Sequence, residues 1–384
     1  MKAKDKLTVS IIDDNHLGNG IAKKDDFIIF VPKTVKGDVV DIEVTSVNKN
    51  IVKAKAISNS VNSKCPYYDR CGGCNLLHVS YDREKELKRD YIKRLFKLDT
   101  DIISFDREHY RNKVTLHVID NTVGFYEEKS NSVVSFDSCL LLDSDINNLI
   151  SVLKEFDSSN INEIVIKRAY EGLLISIKGS ISDIDLKELK NHVKSIYINN
   201  ELVYGDEYLT IRFGDIVYNI NHESFFQVNE KCANSLYDYI KEEVGSCNKL
   251  LDLYCGTGSI GIYLSNNVKK ITGIEINEDS VKCAKKNIKD NNIKNYEIIN
   301  ADASSINEDY DVVIVDPPRS GLSMDVIDSL NNMNMKKLIY VSCNPSTLKR
   351  DISLLNNFYL KKITVFNMFP ATRHIESFTV LERK

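Results

Sequence analysis

Apolar and polar positions alternate in short runs over residues 1–60, as in Phe27-Ile28-Ile29-Phe30-Val31 and Val39-Val40-Asp41-Ile42-Glu43-Val44. A period of two sends successive side chains to opposite faces, so these runs predict strands, and Gly18, Gly20, Pro32 and Gly37 predict the turns between them. Short strands at regular spacing predict a small β-barrel over 1–60. Further on, Leu87, Tyr91 and Leu95 recur at helical spacing. Lys88, Arg89, Lys93, Arg94 and Lys97 are interleaved there with Asp82, Glu84, Glu86 and Asp90, and this mixture predicts a solvated face. Residues 110–220 read as more strands and turns, with helices near 143–156 and 183–194, which gives a central mixed α+β domain over 61–220. From 221 the pattern changes. Apolar strands at 249–254, 271–275, 296–299, 311–315 and 337–342 alternate with helical segments that include 278–291 and 345–355, predicting a doubly wound α/β domain over 221–384 whose ligands lie beyond the carboxyl ends of its strands.

Composition narrows the class. A chain of 384 residues exceeds a single core, and 42% hydrophobic with 28% charged residues describes a folded protein, not a disordered one. The longest apolar runs, such as Val312 to Val315, are strand-sized, so no membrane partner is expected. The opening Met-Lys-Ala-Lys-Asp-Lys lacks the apolar core of a secretion signal, and a cytoplasmic monomer is expected. Net charge is −4, so any site for a polyanion must be local. For the N-terminal barrel the first candidate is an oligonucleotide-binding one, with a β module lacking any ligand as the alternative. Nine cysteines, an odd number without an export signal, point to thiols, metal ligands or catalysis in place of disulfides.

The first strand of the C-terminal domain ends in Asp252-Leu-Tyr-Cys-Gly256-Thr-Gly258-Ser-Ile-Gly261. Glycines at this spacing, between a strand and a helix, let a nucleotide approach the backbone closely. Two readings remain: a nicotinamide oxidoreductase using Gly256, Gly258, Gly261 and Glu275, or an S-adenosylmethionine site. Asp252 and Asp302, the latter after the third strand, favour the second. Strands four and five end in Asp316-Pro-Pro-Arg319 and Ser342-Cys343-Asn-Pro345. Two prolines stiffen the segment that presents Asp316. Cys343 precedes a helix that starts near Pro345, where a positive dipole would lower its pKa and make it a nucleophile. Buried packing is the better reading for Cys232, Cys247, Cys255 and Cys283.

These motifs, with Phe369-Pro-Ala-Thr-Arg-His374-Ile-Glu376, resemble those of the RNA 5-methyluridine (uracil carbon-5) methyltransferases. Glu223-Ser-Phe-Phe-Gln227-Val-Asn229, Tyr110-Arg111-Asn-Lys113 and Gly124-Phe-Tyr extend the resemblance upstream, and the β-barrel looks like a TRAM domain, so nearly the whole chain is covered. The resemblance implies a Rossmann-like class I methyltransferase domain at the C-terminus. It implies methylation of uracil carbon 5 in RNA, with Cys343 as the nucleophile at carbon 6 and Glu376 as the base that removes the carbon-5 proton. Gln227, Tyr254, Gly256, Glu275, Asp302 and Asp316 would bind the methyl donor. Ser259 stands where some relatives have asparagine. Without the family match, Glu376 would read as a surface carboxylate.

Cys65, Cys71 and Cys74 are spaced C-x5-C-x2-C, and Cys139 follows much later. Four thiols satisfy zinc or an iron–sulfur cluster, and three close thiols with a distant fourth suit a cubane better than the paired C-x2-C of zinc sites. The resemblance implies a 4Fe-4S cluster on these four positions. It also implies an RNA partner, 23S ribosomal RNA first and transfer RNA second, with Arg111, Lys113, Phe125 and Tyr126 as candidate contacts. A non-catalytic RNA-binding protein on a decayed scaffold is opposed by the presence of both Cys343 and Glu376.

Overall fold

Strands with alternate buried positions make up the N-terminal unit of the computed structural model, which describes residues 1–57, 63–306 and 308–384. Six strands between Lys6 and Ala56 form one sheet. Val9, Ile29, Val31, Val40, Ile42, Val44 and Val52 pack on its inner face. The expected boundary at residue 60 lies outside the described residues.

The central sheet has seven strands, in the order Val133–Val134, Thr122–Tyr126, Lys113–Ile119, Ile161–Arg168, Leu173–Gly179, Ser195–Ile198, Glu201–Gly205. Helices Ser144–Leu153 and Asp183–Leu189 supply Ile146, Leu149, Ile150, Leu153 and Leu189 to the core on it. Both helices fall where the sequence predicts them. Each begins at a residue whose side chain accepts from a first-turn amide, Asp143 and Ser182 respectively.

The third large sheet has eight strands, in the order Tyr296–Asn300, Val268–Glu275, Cys247–Leu253, Val312–Val315, Lys337–Ser342, Glu376–Arg383, Phe358–Phe366, Ile102–Ile103. The first five run parallel and Glu376–Arg383 is antiparallel to its neighbours. Val312–Val315 is buried throughout, as a strand covered on both faces must be. The chain moves outward from Cys247–Leu253 in one direction and then returns to its other side at Val312–Val315. Strand order therefore reverses between Leu253 and Val315, which opens a crevice at that point.

Residues 81–103, read from the sequence as part of the central domain, pack on this third sheet. Ile92 and Phe96 join its core, and Ile102–Ile103 pairs in parallel with Val365 and Phe366. The helix Tyr81–Phe96 is capped by Ser80, whose side chain accepts from the Arg83 amide. Most of its charges lie on the solvated face that the sequence predicts, but two depart from it: Glu84 and Lys88 are both fully buried. Lys88 Nζ donates to Glu84 at 3.0 Å, to Asn367 Oδ1 at 2.7 Å and to the Phe369 carbonyl at 3.1 Å. Arg107 donates to Glu84 at 3.1 Å. Every charge thus has a partner, which is the condition for burying it; removing one member of such a pair costs about 3–5 kcal/mol. The helix faces a loop of the C-terminal sheet where water was expected. The same helix anchors the N-terminal sheet through Arg83 on Asp14 and through Tyr91 stacked on His16 with centroids 3.7 Å apart.

Candidate active site

Five strand ends meet at one edge of the eight-stranded sheet: Leu253, Glu275, Val315 and Ser342 finish there, and Glu376 begins there. The glycine loop leaves the first of these ends in an uncommon conformation, with Tyr254, Gly256 and Gly258 at φ of 61°, 54° and 77°. Left-handed backbone suits glycine and strains tyrosine. A side chain at Gly256 would meet nothing within 4 Å, so this glycine leaves open space at the crevice. Gly261 plays a different part, since a Cβ there would lie 2.4 Å from the Tyr296 ring; it permits close packing of helix on sheet.

Glu275 faces the loop with both carboxylate oxygens on backbone donors, Gly256 at 3.0 Å and Asn277 at 2.8 Å. Asp252 lies buried underneath, accepting from the Gly261 amide at 3.1 Å and from the Tyr296 hydroxyl at 2.9 Å. Burial pushes its carboxyl up to about 7. Asp302 is exposed, and its Oδ1 accepts from the amide and hydroxyl of Ser304 at 2.9 and 2.6 Å. Ser259 accepts from the Tyr237 hydroxyl at 2.9 Å. Gln227 lies in the segment before the helix Glu230–Val244; its carbonyl accepts from Asn112 at 3.3 Å, and nearby Asn229 donates to the Met368 carbonyl at 3.4 Å.

Cys343 and Glu376 come together through strand register. Ser342 pairs with Ser377, so the next step outward sets position 343 against 376. The Cys343 thiol is half-buried, one residue ahead of Asn344, which caps the helix Pro345–Leu354. Burial first, then the Glu376 carboxylate, push this thiol up, while Arg319 opposes them. The balance is the reverse of the lowering expected from the helix terminus, because burial and two acidic neighbours, Glu376 and Asp316, act on the same sulfur. Glu376 is 3% exposed, and among the described residues nothing hydrogen-bonds its carboxyl. Burial, then Asp316, hold it well above the carboxylate range; Asp316 itself is pushed up to about 7 by burial and then by Asp252. Three carboxyls thus line the path from the glycine loop to the thiol.

Two residues without an assigned role in the sequence reading belong to this constellation. Arg319 lowers both Cys343 and Glu376, its carbonyl accepts from Asn344 at 3.0 Å, and its guanidinium lies 3.1 Å from His374 Nδ1. Burial followed by Arg319 pushes His374 down to about 4, so at neutral pH it is an uncharged acceptor. Lys167 is buried and donates to the carbonyls of Asn221, His222 and Ser224 at 2.9, 2.6 and 2.7 Å, which fixes the segment leading to Gln227. Burial pushes Lys167 down to about 7. The legible signals were the arginine ending Asp-Pro-Pro-Arg and a lysine directly after the apolar run Ile164-Val165-Ile166 in the strand Ile161–Arg168.

Cys65, Cys71, Cys74 and Cys139 all line one cavity of about 540 Å³, together with Arg111, Phe125, Tyr126 and His374. Burial, followed by Cys139, Cys71 and Cys65, raises the Cys74 thiol. Among the described residues no group of three or more His, Cys, Asp or Glu converges as ligands of one metal ion. Phe125 stacks on Phe136 with centroids 4.7 Å apart, and half-exposed Tyr126 stacks on His117 at 3.9 Å. Lys113 lies away from this cavity, on the side of Lys167. Among the described residues no helix is long and apolar enough to cross a membrane.

The chain as a whole is similar to known proteins. A solved structure of the Pyrococcus abyssi tRNA (uracil-54, C5)-methyltransferase in complex with S-adenosyl-L-homocysteine is similar over 98% of this chain and 100% of its own, with a TM-score of 0.80 and 28% identity. An uncharacterized RNA methyltransferase of Clostridium acetobutylicum is 31% identical across 100% of this chain and 98% of its own length. One from Staphylococcus aureus is 28% identical across 99% and 98%. The TRAM domain model matches residues 5–57, and the model described as tRNA (Uracil-5-)-methyltransferase matches 167–311 and 301–384. With an α/β methyltransferase fold behind an N-terminal TRAM domain, the chain belongs to the RNA uracil-5-methyltransferase family.

Proposed function

We propose that this enzyme methylates carbon 5 of a uridine in RNA through a covalent adduct on Cys343, with Glu376 as the proton acceptor. The observation that carries the reading is the buried, unpartnered carboxyl of Glu376 set by register against Cys343. The Cys343 thiolate adds to carbon 6, forming an S–C6 bond while the C5=C6 electrons move toward the carbon-4 oxygen as an enolate. The nucleophilic carbon 5 takes the methyl group of S-adenosylmethionine, whose S–CH3 bond breaks and whose thioether, S-adenosylhomocysteine, leaves. The Glu376 carboxylate then takes the carbon-5 proton, the C5=C6 bond re-forms, and the thiolate leaves. Arg319 supplies the positive charge that favours both anions.

The donor fits the crevice residues by chemistry: open space at Gly256, a carboxylate at Glu275 for the ribose hydroxyls, Asp302 for the adenine end, and Gln227, Tyr254 and Asp316 as further contacts. Cys65, Cys71, Cys74 and Cys139 form a donor set suited to a 4Fe-4S cluster of structural or RNA-positioning role, because four protein thiolates leave no open coordination site. Three units, 1–60 as a TRAM-like barrel, 61–220 with the cluster cysteines and 221–384 for methyl transfer, would work as a cytoplasmic monomer.

Large-subunit 23S ribosomal RNA is the target we favour, on the combination of TRAM domain and four cysteines. Transfer RNA is the second reading, supported by the likeness to the Pyrococcus abyssi enzyme, which extends over the N-terminal unit. Recognition would use an unstacked uridine, with the aromatic and basic lining around Tyr126 and Arg111.

Cys343→Ala should abolish methylation, whereas Glu376→Gln should accumulate a covalent RNA adduct on denaturing gels; wild-type rates in the first variant would remove the nucleophile assignment. Because thiol and base are both raised and both act deprotonated, kcat/KM should climb with pH through and beyond the ordinary thiol range near about 8.5. Arg319→Met should move that limb higher. Mass spectrometry of ribosomal and transfer RNA from a strain lacking the protein should show 5-methyluridine missing from ribosomal RNA, and loss confined to transfer RNA would select the second reading. An anaerobic preparation should be brown and contain iron and sulfide; a colourless protein with stoichiometric zinc would refute the cluster.

A further inference from the structure

Ala371 occupies the loop between the last two strands and is the most constrained residue near the site. Its φ of 64° is left-handed, a conformation that a non-glycine residue keeps only where its surroundings over-determine it. They do so here from two distant parts of the chain. The Ala371 amide donates to both carboxylate oxygens of Glu84, at 2.9 and 3.0 Å. Its carbonyl accepts from the amides of Asn75 and Leu76 at 3.0 and 2.9 Å, the two residues that follow Cys74. The flanking carbonyls are held as well: Phe369 by Lys88 at 3.1 Å and Pro370 by the Tyr110 hydroxyl at 3.1 Å.

This loop carries the groups that face the chemistry. His374 lies 3.1 Å from the Arg319 guanidinium, and Glu376 starts the strand that follows, paired with Phe366 on the far side of the loop. We infer that Glu84 is a positioning residue for uracil-5 methylation: its buried carboxylate clamps Ala371 so that the loop presents His374 to Arg319 and keeps Arg319 over Cys343 and Glu376. The inference rests on the roles proposed for Cys343, Glu376 and Arg319. Glu84 touches neither RNA nor donor, and its effect passes through Ala371, His374 and Arg319 in turn. The Asn75–Leu76 contacts join the cysteine-rich loop to the same residue from the opposite side, so the segment after Cys74 and the first turns of the Tyr81–Phe96 helix grip one peptide unit between them.

Two double variants separate positioning from stability. Glu84→Gln with Lys88→Met removes the charges of both residues and keeps an acceptor for the Ala371 amide and for Arg107, which also donates to Glu84; Glu84→Leu with Lys88→Met removes the same two charges and takes the acceptor from both. The pH dependence of kcat is measured for both on the full-length protein, beside Arg319→Met and thermal unfolding. The glutamine variant should keep the wild-type pH limb. The leucine variant should fall at least tenfold in kcat, with KM for RNA and donor within about twofold, and its limb should move upward in the direction given by Arg319→Met. Identical pH limbs in the two double variants would overturn the inference, whatever their kcat. Should the leucine variant not fold, Glu84→Asp withdraws the carboxylate by one methylene with charge balance intact, and an unmoved limb there counts equally against it. If Arg319→Met itself leaves the limb in place, the reading of the site fails and the inference falls with it; if Arg319→Met moves it and the Glu84 variants do not, only the inference fails.

Discussion

Antiparallel pairing of the last strand with Lys337–Ser342 is the constraint on which the rest of the site depends. In a sheet of parallel strands alone, every carboxyl end would carry a loop that leaves the edge. Reversing Glu376–Arg383 makes one strand start where its neighbours finish, so a residue late in the chain arrives at the edge already fixed by ladder bonds on both sides. Cys343 and Glu376 are thereby held by backbone geometry and not by long flexible side chains. Precision of that kind matters in the mechanism proposed above, in which thiolate and base would reach adjacent carbons of one ring.

The electrostatic consequence is crowding. Asp252 and Glu376 are buried and Asp316 is half-buried between them, and each raises the next because like charges in a poorly solvated space disfavour ionisation. Arg319 is the cation set against this. The arrangement raises the carboxyls and the thiol above their ordinary values and leaves their ionisation responsive to small changes near Arg319. The neutral His374 beside it accepts without adding a competing charge.

Separate parts of the chain converge on this edge. Helix Tyr81–Phe96 ties the N-terminal sheet, through Asp14 and His16, to the C-terminal loop, through Glu84 and Lys88. Lys167 of the central sheet holds the segment before Gln227. The cysteine-lined cavity reaches Arg373 and His374. Because each tie is a charged or polar group satisfied inside the protein, it specifies one mutual arrangement of the units at the cost of desolvation.

The sequence by itself determined the elements whose signal is local. Apolar runs located the five parallel strands, since strands covered on both faces must be continuously apolar, and the glycine spacing located the loop because only glycine reaches those backbone angles cheaply. Ordered motifs identified the family and marked Cys343 and Glu376 as candidates for its chemistry. What the sequence could not carry was pairing between distant positions. Glu84 and Lys88 looked solvated because a helix charge reads the same whether it faces water or a loop nearly three hundred residues later. The Cys343 thiol looked lowered because the neighbouring helix is adjacent in sequence, whereas Glu376 and Asp316 approach only through the sheet. Burial and long-range charge are properties of the packed chain, and tertiary structure alone decided them.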